Sequence, residues 1–389
     1  MPGNLLLREP DGEAHVTHEE LFFDLVYVFS VAELNHFLLE PAGLTSLGRS
    51  LVLWMPIWLG WQYACWITNW FNPELMQLRV LMFICMGLAV GMGASIPFAF
   101  DYDNGPVKFI FFYLAAQLGR TIYINSQLSK SDALFANYRR ILGWQLIAAC
   151  FWVSGAFVEP DIRLALWAIG GLCEYVSPMF GFRLPYLGRS LTTDWTIDGP
   201  HMINRCHDFV IIALGEGIVA IGNSLSEKSY GWGHWDIVTA LANLALTFAM
   251  WWLYFGTSSK AAQDRIAHTN DAGKIGALYH YTHALLALGI VMCAAFTDQA
   301  MAETTWIPPF RSRLFATIGP VFFLVGAALY KTVVFGRVPP SHVAAVVAIF
   351  AFTLFNTSFI VINVYLSTVF LVTAYWETFH CSQIPVQLN

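Results

Sequence analysis

The chain has 389 residues, 57% hydrophobic and 12% charged, with a mean hydropathy of +0.56 and a net charge of −6. A soluble domain carries roughly 25% charged residues; half that value, with repeated apolar runs of helical span, excludes an ordinary soluble domain and reads as an all-α, polytopic membrane bundle. No basic cluster points to nucleic acid, and the seven scattered cysteines, with no C-x-x-C pair, read as reduced, packed thiols.

Residues 1–18 are polar and acidic, with Arg8 as their one fixed cation, and lack the basic and apolar regions of a signal peptide. They are expected to form a cytoplasmic N-terminal segment. About twelve apolar spans follow, near 19–39, 50–71, 78–100, 106–128, 139–158, 161–183, 201–224, 234–257, 275–297, 312–335, 341–358 and 360–378. Only Asn356-Thr357-Ser358 separates the last two; without that break the count is eleven and the C-terminus changes sides.

Assigning both termini and the even-numbered connections to one face gives that face thirteen Lys and Arg, among them Arg79, Arg120, Arg140 and Lys331. The other face has six, including Arg163 and Arg313, and Arg205 stands apart inside a span. The excess of cations puts the first face in the cytoplasm. The expected location is the bacterial inner (plasma) membrane, with both termini cytoplasmic.

The halves look duplicated. Asp24 corresponds to Asp208, and Tyr63-Ala-Cys-Trp66 to Phe248-Ala-Met-Trp251. FFYLAAQLGRTIY (Phe111 to Tyr123) aligns without a gap on FFLVGAALYKTVV (Phe322 to Val334), so that Arg120 meets Lys331, and Glu174 matches Glu377. The expectation is two parallel six-helix repeats, 19–190 and 191–389, related by an axis along the membrane normal.

The first span holds His18, Glu19, Glu20, Asp24, Glu33 and His36. A charged side chain at mid-bilayer costs about 3 kcal/mol or more and survives where it faces the bundle interior and finds a partner. Helical spacing puts Glu20, Asp24, Tyr27 and Asn35 on one face, and His201, Arg205, Asp208 and Glu216 in one stripe of the seventh span. If the two seams meet, Arg205 can give Asp24 or Glu20 paired, charge-assisted hydrogen bonds. Such a pair reads either as a structural bridge or as part of an ion or proton path. Glu216 reads either as a proton carrier or as a protonated, hydrogen-bonded acid. Glu33 and His36 form a single E-x-x-H pair, and a satisfied bundle histidine is commoner than a metal ligand, so neither a metal nor a cofactor is expected. The tryptophans Trp61, Trp66, Trp70 and Trp251 read as an interfacial aromatic belt, or as a cation-π constriction.

Two of these stretches carry a resemblance. Glu20-Leu-Phe-Phe-Asp24-Leu-Val and His201…Arg205…Ile-Ile-Ala-Leu-Gly-Glu216, supported by Trp251-Trp-Leu-Tyr-Phe255 and Tyr281-Thr-His283, resemble the bacterial low temperature requirement A family over nearly the whole chain. The resemblance implies a multi-pass membrane protein with Glu20, Asp24, His36, His201, Arg205, Glu216 and His283 at its functional core. The chain departs from the family pattern at Asn204, His207, Asp208 and Glu33. A looser likeness, Phe22-Phe-Asp24, is to the opening motif of the endolysosomal potassium channels and adds weight to transport by analogy.

The expected function is a channel or secondary transporter for a small cation or protons, running through Glu20, Asp24, Glu33, His36, His201, Arg205, Asp208, Glu216 and His283, with no catalytic residue assigned. The alternative is an intramembrane enzyme acting on a lipid or isoprenoid substrate by acid catalysis. A third reading is a membrane assembly or sensory partner without turnover. The lipid bilayer and a cation or proton are the expected partners, and a homo-oligomer is compatible with the sequence.

Overall fold

The computed structural model describes residues 7, 15–38, 44–130, 133–195, 197–229, 231–256 and 271–380. Among them are twelve α-helices: α1 (His18–Leu38), α2 (Leu44–Trp70), α3 (Met76–Ser95), α4 (Gly105–Gln127), α5 (Ala133–Ala156), α6 (Pro160–Val176), α7 (Gly199–Ser226), α8 (His234–Phe255), α9 (Ala272–Ala302), α10 (Phe310–Phe335), α11 (Pro340–Thr353) and α12 (Phe359–His380). They follow the order of the expected apolar runs. Cys381 and residues 1–6 lie outside the described residues.

Local chemistry explains where helices begin and stop. Thr17 and Glu20 form a capping box at the start of α1: Thr17 N–H donates to Glu20 Oε2 at 2.9 Å, and Glu20 N–H faces Thr17 Oγ1 at 3.4 Å. α6 stops at Val176, short of the expected 183, because Pro178 turns the chain into a 3-10 segment and Gly181 follows in the left-handed region at φ 59°. The break between α11 and α12 is present. Arg313 holds it from α10, donating to Thr353 O at 3.3 Å and Asn356 Oδ1 at 2.7 Å.

Among the described residues eight helices are long and apolar enough to cross a bilayer: α1, α3, α4, α7, α8, α9, α10 and α12. Their outward faces carry large apolar side chains, such as Phe22, Leu25, Ile84, Phe111, Ile211 and Phe248. A surface of that kind is stable against lipid rather than water.

The described residues fall into two compact units, Met1–Asp208 with Asn270–Ala277, and Phe209–Thr269 with Leu278–Asn389. The units divide within α7. The reason is chemical: His201 and Arg205, in the first two turns of α7, are bonded to α1 and α2.

In the first unit α1 and α2 run antiparallel along their length. Ser46 Oγ lies 3.5 Å from Phe37 O at one end, and Trp61 reaches Asp24 at the other. In the second unit α10, α11 and α12 are joined at both ends, by Arg313 as above and by Lys331 and Glu377 with Ser341 and His342. α9 and α10 meet backbone to backbone: a Cβ on Gly289 would sit 2.3 Å from Phe323 N, and one on Gly326 would sit 2.6 Å from Leu286 N. Small residues permit this approach where lipid offers no hydrophobic drive to association.

Several charges counted as loop cations are internal. Arg120 and Lys331 are buried within α4 and α10, Arg163 donates to the carbonyls of Ala99, Asp101, Gly155 and Val158, and Arg313 is bonded as described. Taking Arg120 and Lys331 from one face and Arg163 and Arg313 from the other leaves eleven against four. The tryptophans of α2 are not an outer belt either: Trp61, Trp66 and Trp70 are all buried, while Trp251 of α8 is half exposed.

Candidate functional site

The polar faces of α1 and α7 meet in the first unit. Asp198 caps α7, its carboxylate accepting from His201 N–H at 2.9 Å. From that start the i, i+4 spacing puts His201 and Arg205 one above the other toward α1.

Arg205 is fully buried. Its Nη2 donates to Asp24 Oδ1 at 2.5 Å and its Nε to Asp24 Oδ2 at 3.2 Å, a two-pronged pairing. Its Nη1 donates to Glu20 Oε1 at 2.9 Å and to Thr68 Oγ1 at 3.1 Å. Trp61 Nε1–H donates to Asp24 Oδ1 at 2.7 Å. Glu20 serves two ends, capping α1 through Oε2 and taking Arg205 and His201 Nε2 (2.8 Å) on Oε1. Glu20, Asp24 and His201 are as completely enclosed as Arg205.

Asn69 decides the protonation of His201. Its Oδ1 accepts from Asp198 N–H at 2.9 Å and its Nδ2 donates to Asp198 O at 2.8 Å, which fixes the amide's orientation. The same Nδ2 lies 3.1 Å from His201 Nδ1, so that nitrogen must accept. Its hydrogen is then on Nε2, donated to Glu20, and the ring is neutral. The cluster therefore holds two acids against one fixed cation. Enclosed charge is costly unless balanced, and a buried carboxylate that shares one guanidinium with a second carboxylate is a group that can take up a proton or a small cation.

The other expected residues lie elsewhere. Asp208 is half-buried one turn beyond Arg205. Glu33 is half-buried and His36 exposed further along α1, the latter 12 positions from Asp24, or about 18 Å of helix. Glu216 is half-buried in the part of α7 that belongs to the second unit. His283 is in the second unit too, within an aromatic cluster. Its Nδ1 donates to Tyr279 O at 2.7 Å, its Nε2 accepts from Tyr254 O–H at 2.6 Å, and its ring stacks on Tyr279. No group of three or more His, Cys, Asp and Glu suited to a metal occurs among the described residues.

Sequence reasoning misses Thr17, Thr68 and Asn69, and assigns Trp61 to the lipid interface. The T-x-x-E spacing of a capping box is a usable signal for Thr17. Nothing in the order of residues marks Asn69.

Residues 15–376 match the family described as bacterial low temperature requirement A protein, which takes in Glu20, Asp24, His201 and Arg205. The chain belongs to this family. An uncharacterised protein of Rhizobium meliloti (strain 1021) is 29% identical over 381 residues, covering 96% of this chain and 91% of the relative. No solved structure matches. As a low temperature requirement A protein with eight helices suited to a bilayer, the chain is a multi-pass integral membrane protein.

Proposed function

We propose that this low temperature requirement A protein moves protons or a small cation across its membrane, with the Glu20–Asp24–Arg205–His201 cluster as the site that holds the cargo. The observation that carries this reading is that two carboxylates share one guanidinium in a fully enclosed site, beside an imidazole that accepts from Asn69 and donates to Glu20. Asp24 Oδ2 is the atom that takes the cargo. Arg205 Nε at 3.2 Å is its hydrogen-bond partner, whereas Oδ1 already accepts two shorter bonds. A bound proton or cation neutralises the Asp24 carboxylate; its departure restores the charge, which is the alternation a carrier or gated pore requires.

The reading includes twelve crossings in two six-helix repeats. Its support is that α2 stays beside α1 from Phe37 to Asp24, and that α11 with its following turn reaches from Lys331 to Arg313 along α10. A helix that keeps pace with a crossing neighbour crosses too. In the aligned halves, Arg120 bonds Gln117, which bonds Glu174, and Lys331 bonds Glu377.

The test is reconstitution in liposomes with proton- and potassium-sensitive dyes. Wild type is expected to conduct, and Asp24→Asn, which cannot exchange a proton or hold a cation by charge, to lose at least about tenfold of the flux. Absence of flux for every common cation in wild type sinks the transport reading.

A further inference from the structure

A second enclosed charge cluster lies in the second unit. Lys331 near the end of α10, Glu377 near the end of α12, and Ser341 and His342 in the first turn of α11 are all buried. Glu377 Oε2 accepts from Lys331 Nζ. Its Oε1 accepts from Ser341 Oγ at 3.1 Å and lies 3.0 Å from His342 Nδ1. With Glu377 ionised against Lys331, its oxygens only accept, so His342 Nδ1 carries the hydrogen. The lone pair of the neutral ring is then on Nε2, and that buried nitrogen has no hydrogen-bond partner among the described residues.

The charged groups facing the ring from the packed helices are Lys331 of α10 and Glu377 of α12. These two cancel, which leaves His342 as the base with an open lone pair. The exposed connection Gly336, Arg337 and Val338 ends four residues before it in the chain, just ahead of the first turn of α11 that carries the ring. The aligned acid of the first unit is different. Glu174 accepts from Tyr113 O–H at 2.7 Å, Gln117 Nε2 at 3.0 Å and Trp152 Nε1 at 3.0 Å, donors that do not titrate near neutral pH.

We propose that His342 is a proton-exchange site. Nε2 takes one proton from water at the 336–339 connection and becomes imidazolium, Nδ1–H stays on Glu377, and the same proton returns to water. Uptake gives the enclosed cluster one net positive charge, which favours loosening of the first turn of α11 against α10. This step needs no flux through the first unit's cluster, so it stands or falls separately from the transport reading.

The test is nitrogen-15 NMR of the full chain, histidine-labelled, in lipid nanodiscs, with His342 assigned by its loss in His342→Gln. If that variant does not fold, a through-space cross-peak to labelled Glu377 assigns the ring. Expected is a reversible change from the Nδ1–H neutral form to imidazolium as pH falls. The midpoint should move up by about one pH unit in Lys331→Met, which removes a like charge, and down by about as much in Glu377→Gln. Glu174→Gln should leave it in place. A ring that stays neutral from about pH 9 to about pH 4 overturns the proposal, as does a midpoint that neither Lys331→Met nor Glu377→Gln moves. If those variants do not fold, the wild-type curve still decides.

Discussion

At the scale of single residues, Arg205 and Asn69 do different work. Arg205 spans two acids and a hydroxyl on two helices with three nitrogens. Removing one partner of a buried pair leaves the other uncompensated, at about 3–5 kcal/mol, so Arg205→Met should lower unfolding stability in detergent by about that much. Arg205→Lys should also fall short, because an ammonium cannot reproduce a fork. Adding Asp24→Asn to Arg205→Met should recover part of the loss; if the double variant is as unstable as the sum of the singles, the pairing is not what the site rests on. Asn69 acts on protonation. Asn69→Asp gives His201 Nδ1 an acceptor, so His201 should carry hydrogen on both nitrogens by nitrogen-15 NMR, and an unchanged Nε2–H ring would refute the assignment. The Arg205–acid pairing is legible from sequence because a charge inside an apolar span must find an opposite charge, and helical spacing narrows the choice. Asn69 and His342 are not legible, since their roles arise from which nitrogen or amide happens to face them in the folded chain.

At the scale of helices, the pattern of apolar runs is enough to place the described helices in order, because length and apolar content are local properties. The errors come where a charge or an aromatic near a helix end is read as interfacial. Arg120, Arg163, Arg313 and Lys331 sit close to span ends in the sequence, yet each turns inward to carbonyls or a carboxylate. Trp61 likewise points in, because Asp24 needs a donor. Packing of α9 on α10 offers a sharp contrast among glycines. Gly289→Val and Gly326→Val each force a side chain into neighbouring backbone and should destabilise by about 1–3 kcal/mol or more. Gly119 in α4 has open space where a Cβ would go, so Gly119→Ala should be neutral or stabilising by up to about 1 kcal/mol. Equal effects at the three positions, read from thermal unfolding in detergent, would contradict the close α9–α10 contact.

At the scale of the whole molecule, the number of crossings decides on which side of the membrane each connection lies. Length and composition alone pick out eight helices, leaving α2, α5, α6 and α11 aside. All five tryptophans of α2, Trp54, Trp58, Trp61, Trp66 and Trp70, are turned into the unit, so their indole N–H groups are not offered to lipid. α11 is short, with 14 residues or about 21 Å, and its following turn to Asn356 supplies the remaining reach. The two counts differ in a measurable way. With twelve crossings, the exposed Tyr102 between α3 and α4 lies opposite the N-terminus, and the exposed Tyr186 between α6 and α7 lies on the same side as it. With eight, both assignments reverse, because α2 no longer carries the chain across, whereas the loss of α5 and α6 as a pair leaves the side of position 186 unchanged. A cysteine at each position, in a chain whose own cysteines are replaced, should react with an impermeant maleimide at position 102 from the face opposite the N-terminus and at position 186 only from the face of the N-terminus. The opposite labelling would remove α2 from the membrane and leave the acids of α1 facing a helix that does not share their depth.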